Sequence, residues 1–224
     1  SAVLLAGLHA RGISRVREPI PTRNHTEIAL AEFGARIKVT DGAIEIEGGR
    51  PLRAKEFSVP GDLSSAAFLI AAALCVPNSR LRVTGVGLNP TRSGFLSLLQ
   101  KMGAKVSFAQ LVASEGEPAG DITVESGDLA GIDIGGAWIP NVIDEIPVLA
   151  VLGTQTQNGI RIRDAAELRA KESDRISAVA VNLRALGAEV EEYPDGLAVP
   201  GGQKLRGGTV DSFGDHRIAM AFAV

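Results

Sequence analysis

The sequence predicts an α/β (α+β) protein assembled from repeated βαβαββ units. Three observations carry that prediction. First, one eight-residue phrase occurs three times: Leu30-Ala31-Glu32-Phe33-Gly34-Ala35-Arg36-Ile37, Leu99-Gln100-Lys101-Met102-Gly103-Ala104-Lys105-Val106 and Leu183-Arg184-Ala185-Leu186-Gly187-Ala188-Glu189-Val190. Each reads as a helix end, a glycine just beyond it, then a strand. The spacing is too long for a short solenoid repeat and marks a repeated supersecondary unit. Second, a further strand follows each phrase, and a strand-helix-strand precedes the second and third. Third, the helices are of two kinds. Ala66 to Val76 and Val148 to Leu152 are apolar all round and should be buried, whereas those ending in the phrase are amphipathic and should lie outside them.

Taken in order, Ser1 to Leu8 reads as the tail of a helix stopped near Gly12, so the first unit is present only from its first helix onward. Its second helix opens at Arg23-Asn24-His25-Thr26-Glu27 and ends in the first phrase, and Ala43 to Glu47 supplies the last strand. Arg50 to Ala54 reads as a junction between domains. In the second unit the pieces are Lys55–Val59, Asp62–Val76, Arg80–Gly85, Ser93–Met102, Lys105–Ala109 and Asp121–Glu125. In the third they are Ala137–Asn141, Asp144–Thr154, Gly159–Arg163, Lys171–Leu186, Glu189–Tyr193 and Gly196–Val199. A fourth strand-helix starts at Thr209, and Arg217 to Val224 reads as a helix without a cap. Both ends are expected to be cuts inside helices.

Bulk properties narrow the function. The 224 residues are 45% hydrophobic, enough for a real core. A net charge of −3 and a pI near 5.7 give no electrostatic case for nucleic acid or an anionic membrane. The longest apolar run, Ala66 to Val76, is too short to span a bilayer. The single cysteine, Cys75, lies in that run and reads as a small core residue, and a reducing compartment fits. Three scattered histidines and one cysteine make no metal-ligand cluster. No Walker or Rossmann glycine pattern is present.

Charged residues gather at helix starts. The most anomalous stretch is Lys171-Glu172-Ser173-Asp174-Arg175. On a helix, Lys171 and Arg175 would share a face and repel. They would also sit where the helix dipole and free N–H groups favour anions, which makes sense if an anion lies between them. The plainer reading is an exposed Glu172–Arg175 pair on a solvated helix start, with Ser173 and Asp174 as capping residues. Elsewhere Asp62, Asp144 and Asp215 fit N-caps, Pro147 fits a first turn, Ser64 and Ser65 fit close helix packing, and His25, Arg23 and Arg92 fit a surface. Caps do not account for adjacent Asp144 and Glu145 before a strongly apolar helix, nor for Arg175 and Arg217 opening apolar-faced helices. If the repeat brings these helix starts together, the result is a pocket for small polyanions with acid-base groups in it.

At these residues the chain resembles the 5-enolpyruvylshikimate-3-phosphate synthases, the 3-phosphoshikimate 1-carboxyvinyltransferases. The likeness rests on Lys171-Glu172-Ser173-Asp174-Arg175, Asp215-His216-Arg217, Ile143 to Val151 and Val59 to Ala66. Arg23-x-His25-x-Glu27 and Asn89-x-Thr91-Arg92 resemble motifs of the class II branch, often glyphosate-tolerant. The resemblance implies the enolpyruvyl transferase fold, two inside-out α/β domains with three βαβαββ units each, here truncated at both ends. Residues 1–54 would end one domain and 55–224 form most of the other. It implies a monomeric cytoplasmic enzyme of the shikimate pathway, with no metal or organic cofactor and no nucleic-acid or membrane partner. Its substrates would be shikimate 3-phosphate and phosphoenolpyruvate, bound between the domains. The implied base is Asp144, the implied proton donor and acceptor Glu172. Arg175, Arg217 and Glu172 would hold phosphoenolpyruvate, and Asp144, Lys171 and Arg23 would hold shikimate 3-phosphate. Further cations, a glycine-rich loop and a Ser-x-Gln site of that family are not in these residues, so the chain alone is expected to be inactive. Two alternatives stay open: a UDP-N-acetylglucosamine enolpyruvyl transferase of the same fold, and a non-catalytic repeat module.

Overall fold

The three repeated phrases fold alike, and they set the architecture. In the computed structural model, which describes residues 1–19, 22–56, 58–111 and 116–224, Gly34, Gly103 and Gly187 have φ of +86°, +85° and +85°. Each follows a helix: α2 (His25–Glu32), α4 (Gly94–Lys101) and α7 (Arg175–Ala185), where α1 is Ala2–Gly7 and α3 is Leu63–Cys75. The next residue's N–H reaches back to the helix, Ala35 to Leu30, Ala104 to Leu99 and Ala188 to Leu183, each at 2.9 Å. This closes the helix end and turns the chain into a strand, and glycine is selected because that φ is unfavourable for a residue with a Cβ.

Three sheets result. The first joins β1 (Ile13–Arg17), β2 (Ile37–Thr40) and β3 (Ala43–Glu47) in the order β1-β3-β2. The second joins β4 (Arg80–Gly87), β5 (Lys105–Leu111) and β6 (Ala119–Glu125) in the order β4-β6-β5, with a bulge between Val83 and Val86. The third joins β7 (Ile132–Ile134), β8 (Ile160–Ile162), β9 (Glu191–Tyr193) and β10 (Gly196–Val199) in the order β7-β8-β10-β9. All pairs are antiparallel except β7 with β8. The third sheet is the full βαβαββ unit, with a parallel crossover from β7 to β8. In the second unit that first strand shrinks to one parallel bridge, Gly61 to Val86.

The main core centres on α6 (Ile146–Gly153), reached after the short helix α5 (Ile139–Val142); every residue of α6 is buried. It packs on α3, α7 and α8 (His216–Ala223). Sheets two and three cover this helical layer with Ile122, Val124, Ile134, Ile160, Ile162 and Leu197. A separate small cluster, Leu4, Leu30, Ile44 and Ile46, belongs to the first unit. No single helix is long and apolar enough among the described residues to cross a membrane.

Several boundaries differ from expectation. The described residues of Lys55–Val59 form no strand, and Phe57 lies outside them. The strand expected over Ala137–Asn141 is a 3₁₀ turn (Gly136–Trp138) and α5, because Pro140 has no N–H for a ladder and suits a first turn. The strand is earlier, at Ile132–Ile134, where an outward Asp133 alternates with apolar neighbours. The strand expected from Thr209 is irregular chain leading to α8. Helix α3 is not buried all round: Leu69 is 60% exposed. Helix α7 begins at Arg175 rather than Lys171, since the Asp174 carboxylate caps it by accepting from the Ser177 N–H at 3.1 Å.

Candidate active site

The helix starts converge. Asp144 lies in the turn between α5 and α6, and four arginines from four other segments meet its carboxylate. Arg23, just before α2, donates to Oδ2. Arg92, in the turn before α4, donates from Nη1 to Oδ2 at 3.1 Å. Arg175, the first residue of α7, reaches Oδ1 at 3.5 Å, and Arg217 in the first turn of α8 lies 3.6 Å from Oδ2. Arg217 also donates to the Asp144 backbone carbonyl at 3.3 Å. Asp144 is therefore not the helix cap expected from its position; α6 starts at Ile146, and Glu145 at its N-cap makes no side-chain cap.

Arg175 is the most deeply set of the four, at 2% exposure. Its Nε donates to Asp215 Oδ2 at 2.7 Å and its Nη2 to Glu172 Oε2 at 2.6 Å. Asp215 is itself fully buried and also caps α8, accepting from the Arg217 N–H at 2.8 Å. One carboxylate thus holds the Arg175 side chain and the backbone at Arg217. Ser173 donates to the same Asp215 at 3.2 Å, so it is a partner of that ion pair rather than a cap. Glu172 stays about half-exposed beside Arg175.

Lys171 is placed differently from the expectation. It precedes α7, shares no helix face with Arg175, and pairs its ammonium with Glu167 on a 3₁₀ turn (Ala166–Ala170). The shared helix face expected of Lys171 and Arg175 does not form; the cations that converge on Asp144 are Arg23, Arg92, Arg175 and Arg217.

The electrostatics follow from this crowding. Burial on its own would raise the Asp144 carboxyl. The Arg23 hydrogen bond, the charges of Arg217 and Arg23 and the Arg92 bond outweigh it, holding Asp144 well below the usual carboxylate range. Asp215 is likewise held low, burial being outweighed by Arg175 and by the Arg217 N–H. Glu145 goes the other way: burial pushes it up, more than Ser64, Arg92 and Arg217 pull it down, and the Asp144 charge adds to the rise. Asp215 and Glu172 pair with Arg175, and Asp62 lies 3.4 Å from Arg92. Asp144 is shared among all four arginines, and guanidinium forks converging in this way suit an anionic ligand.

A cleft of about 430 Å³ opens beside this cluster, lined by Arg23, His25, Asp62, Asn89, Arg92 and Glu117 among others. Its wall is a polar network. His25 Nδ1 meets Glu117 Oε1 at 2.6 Å, and Asn89 Nδ2 donates to Glu117 Oε2 and Asn24 Oδ1, both at 2.8 Å. This ties the start of α2 to the Asn89–Arg92 turn and so sets Arg23 beside Arg92. Among the described residues no group of three or more His, Cys, Asp or Glu could hold a metal ion. Sequence reading noted Arg92 within a motif but did not place it at the site; Glu117 gave no signal, being remote in sequence from every partner.

The fold is that of the enolpyruvyl transferases. One of these, NikO from Streptomyces tendae, shares the fold at a TM-score of 0.73 and 22% identity, over 97% of this chain and 50% of that one. The chain belongs to the EPSP synthase (3-phosphoshikimate 1-carboxyvinyltransferase) family, whose sequence profile matches residues 1–224. The 3-phosphoshikimate 1-carboxyvinyltransferase of Solibacter usitatus is 55% identical over all of this chain and 53% of its own length, and that of Bacillus cytotoxicus is 49% identical with the same coverage. An EPSP synthase structure from Acinetobacter baumannii superposes at a TM-score of 0.90 and 38% identity, over 98% of this chain and 51% of that one. The chain spans about half the length of the curated relatives it matches. The UDP-N-acetylglucosamine alternative is not favoured.

Proposed function

We propose that the full-length polypeptide transfers the enolpyruvyl group of phosphoenolpyruvate to the 5-hydroxyl of shikimate 3-phosphate and releases phosphate, as a cytoplasmic enzyme of aromatic amino-acid biosynthesis. The observation that carries this reading is the meeting of Arg23, Arg92, Arg175 and Arg217 on Asp144. Both substrates are multiply anionic, and planar guanidinium forks match carboxylate and phosphate oxygens. In the ligand-free site Asp144 holds the arginines that the substrate anions would engage. On binding, Arg175 and Arg217 turn to phosphoenolpyruvate, and Arg23 turns to the shikimate phosphate. Lys171 joins it there by exchanging Glu167 for the phosphate.

Re-pairing also switches on the base. A carboxylate held this low is a poor proton acceptor. As the guanidinium groups transfer to substrate, Asp144 rises toward the ordinary range and accepts the proton of the 5-hydroxyl as that oxygen attacks C2. Glu172 passes a proton to C3, giving a tetrahedral intermediate. Glu172 then takes a proton back from the methyl carbon as the C2–phosphate bond breaks. No metal or organic cofactor enters the proposal. The division into residues 1–54 and 55–224 as parts of two domains belongs to it too, supported by the separate apolar clusters.

The test is steady-state turnover by the full-length polypeptide. Asp144→Asn should lower kcat by about 100-fold or more, as expected for a lost general base. Arg217→Ala should raise the KM for phosphoenolpyruvate by about tenfold or more, as expected for a lost charged hydrogen bond. If turnover is absent, or both variants match the parent, the reading fails. Unaltered function in both variants is also what a non-catalytic module predicts.

A further inference from the structure

The carboxylate next to Asp144 has no part in the proposed reaction, yet it is built in with care. Glu145 is 2% exposed. Its Oε1 accepts the hydroxyl proton of Ser64, and its Oε2 has no hydrogen-bond partner. Ser64, at the start of α3, is 1% exposed, and its oxygen accepts from Nη2 of Arg92, which also lies 3.4 Å from Asp62 Oδ1. The other terminal nitrogen of Arg92 is the one on Asp144 at 3.1 Å. Glu145, Ser64, Arg92 and Asp144 therefore form a closed loop of contacts beside the peptide bond joining the two carboxylates.

We propose that Glu145 is a positioning residue for Asp144: through the Ser64 hydroxyl it fixes the Arg92 guanidinium on the Asp144 carboxylate. The chemistry of the hydroxyl requires a partner of this kind. Ser64 has one proton, and Arg92 can only donate. The oxygen accepts from Arg92 when its own proton points away from the guanidinium, and the hydrogen bond to Glu145 Oε1 holds it that way. Without an acceptor at 145 the hydroxyl is free to rotate its proton toward the guanidinium and repel it. The charged groups facing Glu145 are Asp144 from its own turn, Arg92 from the turn before α4 and Arg217 from α8. Glu145 is required to accept, not to carry charge. A buried neutral carboxyl satisfies that, and so does an amide.

The role of Asp144 as base rests on the proposed enolpyruvyl transfer; the geometry of the loop does not. Two measurements on the full-length polypeptide separate them. The first is the carboxyl ¹³C titration of Asp144, assigned with Asp144→Asn. It should move to higher pH in Glu145→Ala and Ser64→Ala, as one cation loosens, and return to the parent value in Glu145→Gln. If Glu145→Ala does not fold, Ser64→Ala and Glu145→Gln decide the question. The second is turnover. Glu145→Ala and Ser64→Ala should lower kcat by about tenfold, with a smaller effect on either KM, and should move the acid limb of kcat in the direction of the titration, while Glu145→Gln restores both. An Asp144 titration unmoved in Glu145→Ala and Ser64→Ala, or one shifted as far in Glu145→Gln as in Glu145→Ala, would overturn the proposal. A parent that titrates as described but does not turn over the two substrates defeats the functional reading alone.

Discussion

Arg175 and Asp215 show how single residues set the site. A guanidinium at 2% exposure is tolerable because a fully buried carboxylate binds it and also caps the next helix. Removing one partner of a buried pair leaves the other charge uncompensated, at about 3–5 kcal/mol. Asp215→Ala should therefore destabilise the protein by that order in urea unfolding, whereas Asp215→Asn keeps the cap and loses less. The carboxyls also predict opposite pH responses. Asp144 and Asp215 have native values below their unfolded ones, so their contribution is complete above about pH 4 and fades as pH falls below it. Glu145 has a native value above its unfolded one, so its contribution is present at low pH and is lost as pH rises from about 4.3 toward that raised value. Glu145→Gln should remove this second loss, seen as a smaller drop in melting temperature between mildly acid and neutral pH.

Much of this chemistry could be read from residue types and spacing. Asp144, Arg175 and Arg217 were legible as charges that ordinary capping leaves unexplained, Arg23 and Glu172 entered through the family resemblance, and the structure brings the arginines to Asp144. The position of Lys171 was not legible, because its helix-like spacing ignored the cap at Asp174 that starts α7 four residues later. Nor was the partnership of Arg92, since convergence across sheets leaves no local pattern.

At the scale of elements, the repeated phrase is a folding instruction: a helix, a left-handed glycine, a strand. At Gly187 an added Cβ would meet only the Arg206 side chain, at 3.6 Å, so alanine there is opposed by the backbone angle alone. Gly187→Ala should cost about 1–2 kcal/mol, measured by urea unfolding. The buried helix α6 is more sensitive. Leu149 is 0% exposed, and Leu149→Ala should cost about 2–5 kcal/mol by leaving a cavity between α6 and its neighbours. Long helices and phrase-linked strands were legible because their patterns are periodic or repeated. The three-residue β7 was not legible because so short a strand offers little alternation, and Ala137–Asn141 is not a strand because Pro140 lacks the N–H a ladder needs.

Across the whole molecule, two apolar clusters are joined by polar contacts: Arg23 to Asp144, His25 to Glu117 and Asn24 to Asn89. In the proposed function, contacts of this kind are the ones exchanged for substrate anions, which opens no core. The chain alone, at about half the length of its relatives, should show no turnover; measurable synthase activity from these 224 residues would refute that. The central claim is that the arginines around Asp144 are the seat of the substrate anions. It is tested most directly by titrating the Asp144 carboxyl by ¹³C NMR in the full-length polypeptide, with and without saturating shikimate 3-phosphate. Asp144, held low in the free protein, should titrate at higher pH once the anion draws Arg23 away and adds its own negative charge nearby. A titration that saturating ligand leaves unmoved would contradict it.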